Sequence, residues 1–221
     1  MASRWFIVSL VLSLCTNLST ADVFLSIDCG SSSPYTDNSG VAWVGDDEYV
    51  KSGESRSIKP LNSISHVADT LRVFTTRNKN CYHIDSVKPG RVLVRASFYY
   101  GNYDGKNSPP TFALSFDGNV WTTVQTSNTS YYYYEVTYVM KRDSISVCLA
   151  QTEAEQFPFI SALEVRRLEK YMYMHVDDGY PLFVWKRVAF RLKYRFRVPR
   201  RSLRQTMGCW SLCEWVDPRY G

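Results

Sequence analysis

The sequence predicts an all-β protein whose main part is an antiparallel β-sandwich and whose C-terminal tail is irregular. Two observations lead to this fold class. Between residues 23 and 168, runs of roughly five to eight residues are rich in β-branched and aromatic side chains and often alternate between apolar and polar positions. Turn-forming residues separate these runs about every ten residues, and no stretch has a convincing helical period. No repeat of fixed length occurs, which argues against a propeller or a solenoid.

The predicted strands follow one another in chain order. The first three are VFLSIDCG, LRVF and CYHIDSV, and the last three are YYYYEVTYVM, SISVCLAQ and FISALEVRRL. Between them, RVLVRASFYY has the clearest alternation, with one face formed by Val92, Val94, Ala96 and Phe98. This pattern is typical of a strand with one buried face.

A β-hairpin is predicted where TFALSF is followed by DGN and then by VWTTV. Phe112, Leu114 and Phe116 alternate with smaller residues along the first run. The residues at 117–119 tolerate the positive φ angles that tight turns require. We therefore expect the two runs to pair with each other.

The N-terminus has the features of a secretory signal peptide, which we place at residues 1–21. Arg4 precedes an apolar run from Trp5 to Leu14, and Ser19 and Ala21 are small residues at the positions that a signal peptidase reads. The alternative is an uncleaved anchor helix, but the run is shorter than the ~20 apolar residues of a bilayer span. No later segment is apolar enough to form a transmembrane helix, so we expect the secretory pathway and an extracellular or cell-surface location.

This compartment favours disulfides and glycans. Once Cys15 is removed with the signal peptide, an odd set remains, consisting of Cys29, Cys81, Cys148, Cys209 and Cys213. A disulfide between Cys29 and Cys81 is one pairing that we consider, although sequence alone does not determine it. The triplet NTS makes Asn128 a predicted N-glycosylation site in an exposed loop.

The formal net charge of +5 comes mainly from the end of the chain. From Lys186 onward, Lys and Arg far outnumber the two acidic residues Glu214 and Asp217. We divide the chain into the sandwich at 23–168, a linker and partial second element at 169–190, and a basic tail at 191–221. A basic tail can bind nucleic acid or a membrane surface, but a secreted protein rarely meets nucleic acid, and we expect no nucleic-acid partner.

Five stretches of the sequence resemble those of a known protein family. FLSIDCGS, RVFTTRNKNCYHID, RVLVRASFYYGNYDG, PTFALSFDGNVWTTV and PFISALEVRRL occur in the order of the malectin-like ectodomain of plant leucine-rich-repeat receptor-like kinases. The resemblance implies a jelly-roll, galactose-binding-like sandwich. The sequence HVDDGYPLFVWKRVAF resembles the beginning of the family's second lobe, and the resemblance ends at Phe190. We expect a truncated relative without a kinase domain, because no kinase phosphate loop, HRD or DFG motif occurs.

The residues after Phe190 match nothing in that family. Their aperiodic, basic composition is what a shifted reading frame, a retained intron or a wrong gene model produces, and a functional basic tail is the alternative.

The resemblance implies carbohydrate or peptide binding, and the stretch FYYGNYDGKNSPP at 98–110 is the expected place. Tyrosine rings stack on the apolar faces of sugars, and glycines and prolines allow a loop to carry rings beyond a sheet edge. By similarity to animal malectin, which binds glucose disaccharides, Tyr99 and Tyr100 are implied as ligand-binding rings and Phe74 as a further ring. The alternative is that one tyrosine packs in the core and the other caps a sheet edge.

Three further residues complete the predicted site. Asn102 and Tyr103 lie in the same stretch, with the alternative that they only shape the turn. Gln156, in EAEQFPF, is nearest to the place where the animal relative has a carboxylate. This difference leaves the sugar specificity open.

Other chemistries are disfavoured by spacing. Asn102, Asp104 and Asn107 lack the bidentate carboxylate that a calcium loop needs. The histidines share no metal-ligand spacing with the cysteines, so we interpret them as structural; they are His66, His83 and His175. No Ser-His-acid group occurs, and Asp46, Asp47 and Glu48 adjoin in one loop rather than flanking a substrate. We predict no metal, no cofactor and no catalysis.

The expected function is an extracellular binding module for a cell-wall glycan or an extracellular peptide. The alternative is a non-binding piece or decoy that associates with the ectodomain of a full-length receptor kinase. A glycan-modifying enzyme is a third, weaker hypothesis.

Overall fold

A computed structural model gives the structure of residues 24–169, 171–173 and 176–184. These residues form fourteen β-strands and two short 3₁₀ turns, Pro60–Asn62 and His66–Ala68. The strands are β1 Phe24–Asp28, β2 Tyr35–Thr36, β3 Ala42–Gly45, β4 Glu54–Ser57, β5 Thr70–Val73, β6 Lys79–Ile84, β7 Gly90–Phe98, β8 Thr111–Phe116, β9 Asn119–Gln125, β10 Tyr132–Met140, β11 Ile145–Gln151, β12 Phe159–Ile160, β13 Ala162–Arg167 and β14 Leu182–Phe183.

The strands form three sheets. The largest has seven strands in the order β14-β10-β7-β13-β1-β3-β2, and the second has the order β6-β11-β8-β9. A small third sheet, β12-β5-β4, lies beside them. Among the described strand pairs, β1 and β3 run parallel and the others antiparallel. The predicted antiparallel sandwich is confirmed.

The core fills the space between the seven-stranded and four-stranded sheets. The large sheet contributes fully buried residues from alternate positions of β7, namely Val92, Val94, Ala96 and Phe98. The facing sheet contributes alternate residues of β8 and β11, namely Phe112, Leu114, Val147 and Leu149. The alternation predicted from the sequence along RVLVRASF and TFALSF is therefore confirmed.

The other face of β7 is mostly polar, with Arg91, Arg95 and Ser97 beside Leu93. Arg95 forms an ion pair with Glu135 on β10 and a longer one, 3.4 Å between Nη1 and Oε1, with Glu164 on β13. These residues lie directly opposite one another in the strand register. Cross-strand pairs of opposite charge stabilise a sheet and help to set its register.

The predicted hairpin is present between β8 and β9. Asp117 and Gly118 have φ angles of 44° and 84°, which are the values that a tight hairpin turn requires. Asp117 also accepts a hydrogen bond of 2.8 Å from the Ser146 amide on β11, which fixes the hairpin to the neighbouring strand.

The disulfide joins Cys81 to Cys148. These residues lie opposite each other on β6 and β11, so the considered pairing of Cys29 with Cys81 is wrong. Cys29 follows β1 in the opposite sheet, where its thiol is buried in the core. Cys81, in contrast, alternates with the core residue Tyr82 and therefore faces away from the core.

Some sequence-based predictions fall outside the described residues. The signal peptide at 1–21, the basic tail at 191–221, His175, Cys209 and Cys213 belong to this group. In the part of the chain that the structure describes, no helix is long and apolar enough to cross a membrane. Within the predicted linker, β14 pairs with β10 and thereby extends the large sheet.

Candidate ligand-binding site

Three of the predicted ligand residues are buried. Tyr99, Tyr100 and Phe74 are 3%, 0% and 1% exposed, respectively. The expectation that these rings project beyond the sheet edge is corrected by this packing. All three belong to the core between the sheets, and in this conformation they present no face to a ligand.

Phe74 packs edge-on against Tyr82, with 6.3 Å between the ring centroids. Its ring also lies on the backbone of Gly53, where a Cβ atom would come within 2.7 Å of it. Phe74 is therefore packed between the backbone at Gly53 and the ring of Tyr82 on β6.

Tyr99 holds a neighbouring loop in place. Its hydroxyl donates a hydrogen bond of 2.7 Å to the carbonyl oxygen of Asn62. The Asn62 side chain in turn donates a bond of 2.9 Å to the carbonyl of Gly101. Two hydrogen bonds therefore attach the loop at residues 58–65, which we call the Leu61 loop, to the residues that follow β7.

Tyr100 holds the next turn together. Its hydroxyl donates to Oδ1 of Asp104 and accepts a bond of 3.3 Å from the amide of Ser108. Burial, followed by the hydrogen bond to Asp104, raises the pKa of Tyr100 well above its ordinary value. The hydroxyl therefore stays protonated and remains a donor at physiological pH.

Glycine and asparagine shape this turn. Gly101 has a φ of 51°, and a Cβ atom there would lie 2.7 Å from Cδ1 of Ile58. Asn102 has a φ of 53°, and its side chain exchanges hydrogen bonds of 2.8 and 2.9 Å with Asn107. Asn102 therefore stabilises the turn, as the alternative interpretation held.

Beside the turn lies a cleft of about 180 Å³, the Tyr103 cleft. It is formed by residues 103–110 on one side and 154–157 on the other. Its lining consists of Tyr103, Asp104, Lys106, Ser108, Pro110, Ala154, Glu155, Gln156 and Phe157. Of the predicted ligand residues, the structure brings Tyr103 and Gln156 together here.

Each of these two residues has one group engaged with the protein. The half-buried ring of Tyr103 packs against Tyr100 at 5.4 Å between centroids, and burial followed by the nearby Asp104 raises its pKa to about 12. Gln156 accepts a hydrogen bond of 2.9 Å from the amide of Thr111 through Oε1. The Tyr103 hydroxyl and the Gln156 amide nitrogen have no hydrogen bond to the residues that the structure describes.

The charge of the cleft is negative on balance. Asp104 and Glu155 contribute carboxylates, and Lys106 contributes one ammonium group. Glu155 is exposed and has a φ of 62°, which is uncommon for a residue with a side chain. A second, more open depression of about 240 Å³ adjoins the cleft at Ala154 and includes Gln151 and Glu153.

A family model for the malectin-like domain matches residues 27–203. The chain belongs to the malectin-like family. This malectin-like chain is 36% identical over 181 residues to the uncharacterized Arabidopsis thaliana protein At1g24485, covering 79% of the chain and 36% of that relative. It is 42% identical over 151 residues to the probable LRR receptor-like serine/threonine-protein kinase At1g05700 of the same plant, covering 66% of the chain and 17% of the kinase. It thus spans only a minor part of either relative.

Solved malectin-like structures share the fold. The plant receptor-like kinase FER has a TM-score of 0.60 at 21% identity, covering 75% of this chain and 48% of that one. The ANX2 ectodomain from Arabidopsis thaliana has a TM-score of 0.56 at 21% identity, covering 66% and 42%. A structure of the plant peptide RALF23 in complex with FER and LLG2 has a TM-score of 0.59 at 16% identity, covering 75% and 48%.

The remaining polar candidates have structural partners in this malectin-like domain. Asp46 is fully buried and accepts hydrogen bonds of 2.6 Å from Nε of Arg72 and 2.8 Å from the Tyr82 hydroxyl. Asp47 contacts the same guanidinium at 2.7 Å. His66 packs edge-on against Tyr35 at 4.2 Å. Among the described residues, no group of three or more His, Cys, Asp or Glu could hold a metal ion.

Asn128 lies between β9 and β10, and its Oδ1 atom is buried without a hydrogen-bond partner in the described part of the chain. Its glycosylation stays a prediction. Sequence reasoning missed Asp104, Lys106 and Glu155 as cleft residues. Strand pairing could have indicated them, because the loop before β8 and the loop after β11 meet at the same end of this antiparallel pair.

Proposed function

We propose that this chain is a non-catalytic, extracellular binding module whose ligand occupies the Tyr103 cleft. One observation carries the proposal. The cleft combines a half-exposed tyrosine ring with amide, carboxylate and ammonium groups at one end of a rigid sandwich. This combination is typical of sites that bind small polar ligands, in which an aromatic surface supplies contact area and polar groups supply specificity.

The ligand classes are a cell-wall carbohydrate and an extracellular peptide. The adjoining depression at Ala154 supports an oligomeric ligand over a single sugar, since it extends the cleft along the surface. A peptide is supported by the relative that was solved in complex with RALF23. The signal peptide at 1–21 and the glycan at Asn128 are part of this proposal, because both place the cleft outside the cell.

Binding by the full secreted chain tests the proposal. We would screen it against an array of plant cell-wall oligosaccharides and a phage-displayed library of twelve-residue peptides. Saturable binding to one of them should weaken at least about tenfold in Tyr103→Ala, because the ring loses its contact area. The matched control is Tyr171→Ala, which removes a 43% exposed tyrosine beyond the end of β13.

Circular dichroism and thermal unfolding of both variants separate loss of binding from loss of fold. Saturable binding that is unaffected by Tyr103→Ala would refute the placement of the site. If the chain binds saturably to neither the oligosaccharide array nor the peptide library, the proposed function is wrong.

A further inference from the structure

Two apolar side chains are exposed on the Leu61 loop. Leu61 is 95% exposed at the 3₁₀ turn Pro60–Asn62, and Ile64 is 50% exposed three residues later. Single apolar residues on a surface are ordinary. Two exposed apolar side chains on one short loop are more than a scattered single residue, and exposed apolar surface of this kind is typical of interaction sites.

The structure fixes this loop firmly. Asn62 is held from one side by the Tyr99 hydroxyl, at 2.7 Å, and reaches the Gly101 carbonyl on the other, at 2.9 Å. Ile58, at the start of the loop, is buried against Gly101. The backbone at Asn62 is therefore held in a conformation in which the neighbouring Leu61 side chain is exposed.

The Leu61 loop and the Tyr103 cleft flank the same turn. Gly101 accepts the hydrogen bond from the loop, and Tyr103 and Asp104 follow it by two and three residues and line the cleft. Leu61 is next to Asn62, whose side chain bonds to Gly101, so the loop and the cleft lie within about 20 Å of each other, and an extended peptide of about six residues at about 3.3 Å per residue covers that distance. One ligand can therefore contact both.

Charge indicates what kind of ligand fits. The cleft has two carboxylates, Asp104 and Glu155, against the single ammonium of Lys106, so it attracts a cation more than an anion or a neutral group. The Tyr103 ring adds a face that a cation can approach. A neutral sugar would use neither the excess negative charge nor the apolar side chains of Leu61 and Ile64.

We infer that the ligand is an extended polypeptide segment that places a Lys or Arg side chain in the Tyr103 cleft and an apolar side chain against Leu61 and Ile64. This inference rests on the proposed function and narrows it from two ligand classes to one. The Leu61 loop supplies the apolar contact, and Glu155 supplies charge selection.

The peptide library provides the test. Panning against the full chain should enrich sequences that combine Lys or Arg with a large apolar residue a few positions away. A synthetic peptide of the enriched sequence should bind roughly tenfold to hundredfold more weakly to Leu61→Ser, because a buried leucine contact is lost. Glu155→Gln should weaken binding several-fold and reduce its dependence on salt.

Matched controls come from the far end of the sandwich. Val120→Ser removes a 78% exposed apolar side chain beside the β8–β9 hairpin, and Glu169→Gln removes an exposed carboxylate after β13. Both should bind the peptide as the unmodified chain does.

The outcomes distinguish this inference from the proposed function. Oligosaccharide binding that depends on Tyr103 but not on Leu61, without peptide enrichment, would overturn the inference and leave the proposed function standing. Enriched peptides that lack a cation, or that bind Leu61→Ser unchanged, would also overturn it. Absence of binding to both libraries would overturn both.

Discussion

Asp28 connects three strands of the domain and should make its stability depend on pH. The carboxylate lies at the end of β1 and is 1% exposed. Its Oδ1 accepts a hydrogen bond of 2.8 Å from Thr70 on β5, and its Oδ2 accepts one of 2.9 Å from Tyr35 on β2. Burial raises the pKa of Asp28 from 3.8 to about 6, while these two bonds and the nearby His66 partly oppose the increase, and Asp46 adds to it.

The direction of the effect follows from proton binding. Because the folded chain holds the proton more tightly than the unfolded chain, Asp28 stabilises the fold most below pH 3.8 and loses this contribution as the pH rises through 6. A change of the pKa from 3.8 to about 6 corresponds to about 3 kcal/mol of unfolding free energy at neutral pH. Of this, about 2 kcal/mol is lost between pH 4 and pH 6.5.

Urea unfolding of the full chain and of Asp28→Asn across this pH range measures the effect. Asparagine keeps the size of the side chain and can still accept from Thr70, but it does not titrate. The difference in unfolding free energy between the two chains should therefore change by about 2 kcal/mol from pH 4 to pH 6.5, in favour of the unmodified chain at low pH. Glu169→Gln is the control for an exposed carboxylate. A constant difference across the range would refute the assignment of the pH dependence to Asp28.

Three further predictions concern the turn and the disulfide. In urea unfolding, Gly101→Ala should lower the unfolding free energy by about 2 kcal/mol more than Gly105→Ala does. Both glycines have a positive φ, but only at Gly101 would the added Cβ meet other side chains. Replacing Cys81 and Cys148 together by serine should cost about 4 kcal/mol, since the disulfide closes a loop of 67 residues, and an equally stable double variant would contradict this. Tyr99→Phe should keep the packed ring but weaken binding of the enriched peptide several-fold in titration calorimetry, because the Leu61 loop loses the bond to Asn62.

The strands were predictable because their pattern is local. Val92, Val94, Ala96 and Phe98 alternate with Leu93, Arg95 and Ser97, and this apolar face is enough to predict a strand from the sequence. The turn at Asp117 and Gly118 was equally local, since its residues determine its φ angles. The disulfide was not local. Cys81 meets Cys148 through the register of β6 with β11, which depends on contacts between segments far apart in the sequence.

The proposed cleft lies beside the predicted stretch, but Tyr99 and Tyr100 face the core instead of the solvent. Tyr99 and Tyr100 directly follow the last residue of β7, and the glycine after them suggested an exposed loop. Whether they are buried depends on the Leu61 loop and on Phe159, which lie about 40 and 60 residues away in the chain. The residues of FYYGNYDGKNSPP alone therefore do not predict these contacts.

At this end of the sandwich, the residues that hold the loops in place differ from the residues that are exposed to a ligand. Tyr99, Tyr100 and Gly101 are buried and hold the Leu61 loop and the turn after β7 in place. Changes at these positions therefore disturb the fold. Leu61 and Glu155 are exposed and support no strand, so their replacement should change the unfolding free energy by no more than about 0.5 kcal/mol. In the proposed site, ligand specificity therefore depends on surface residues that can be substituted while the buried tyrosines keep the loops in the same place.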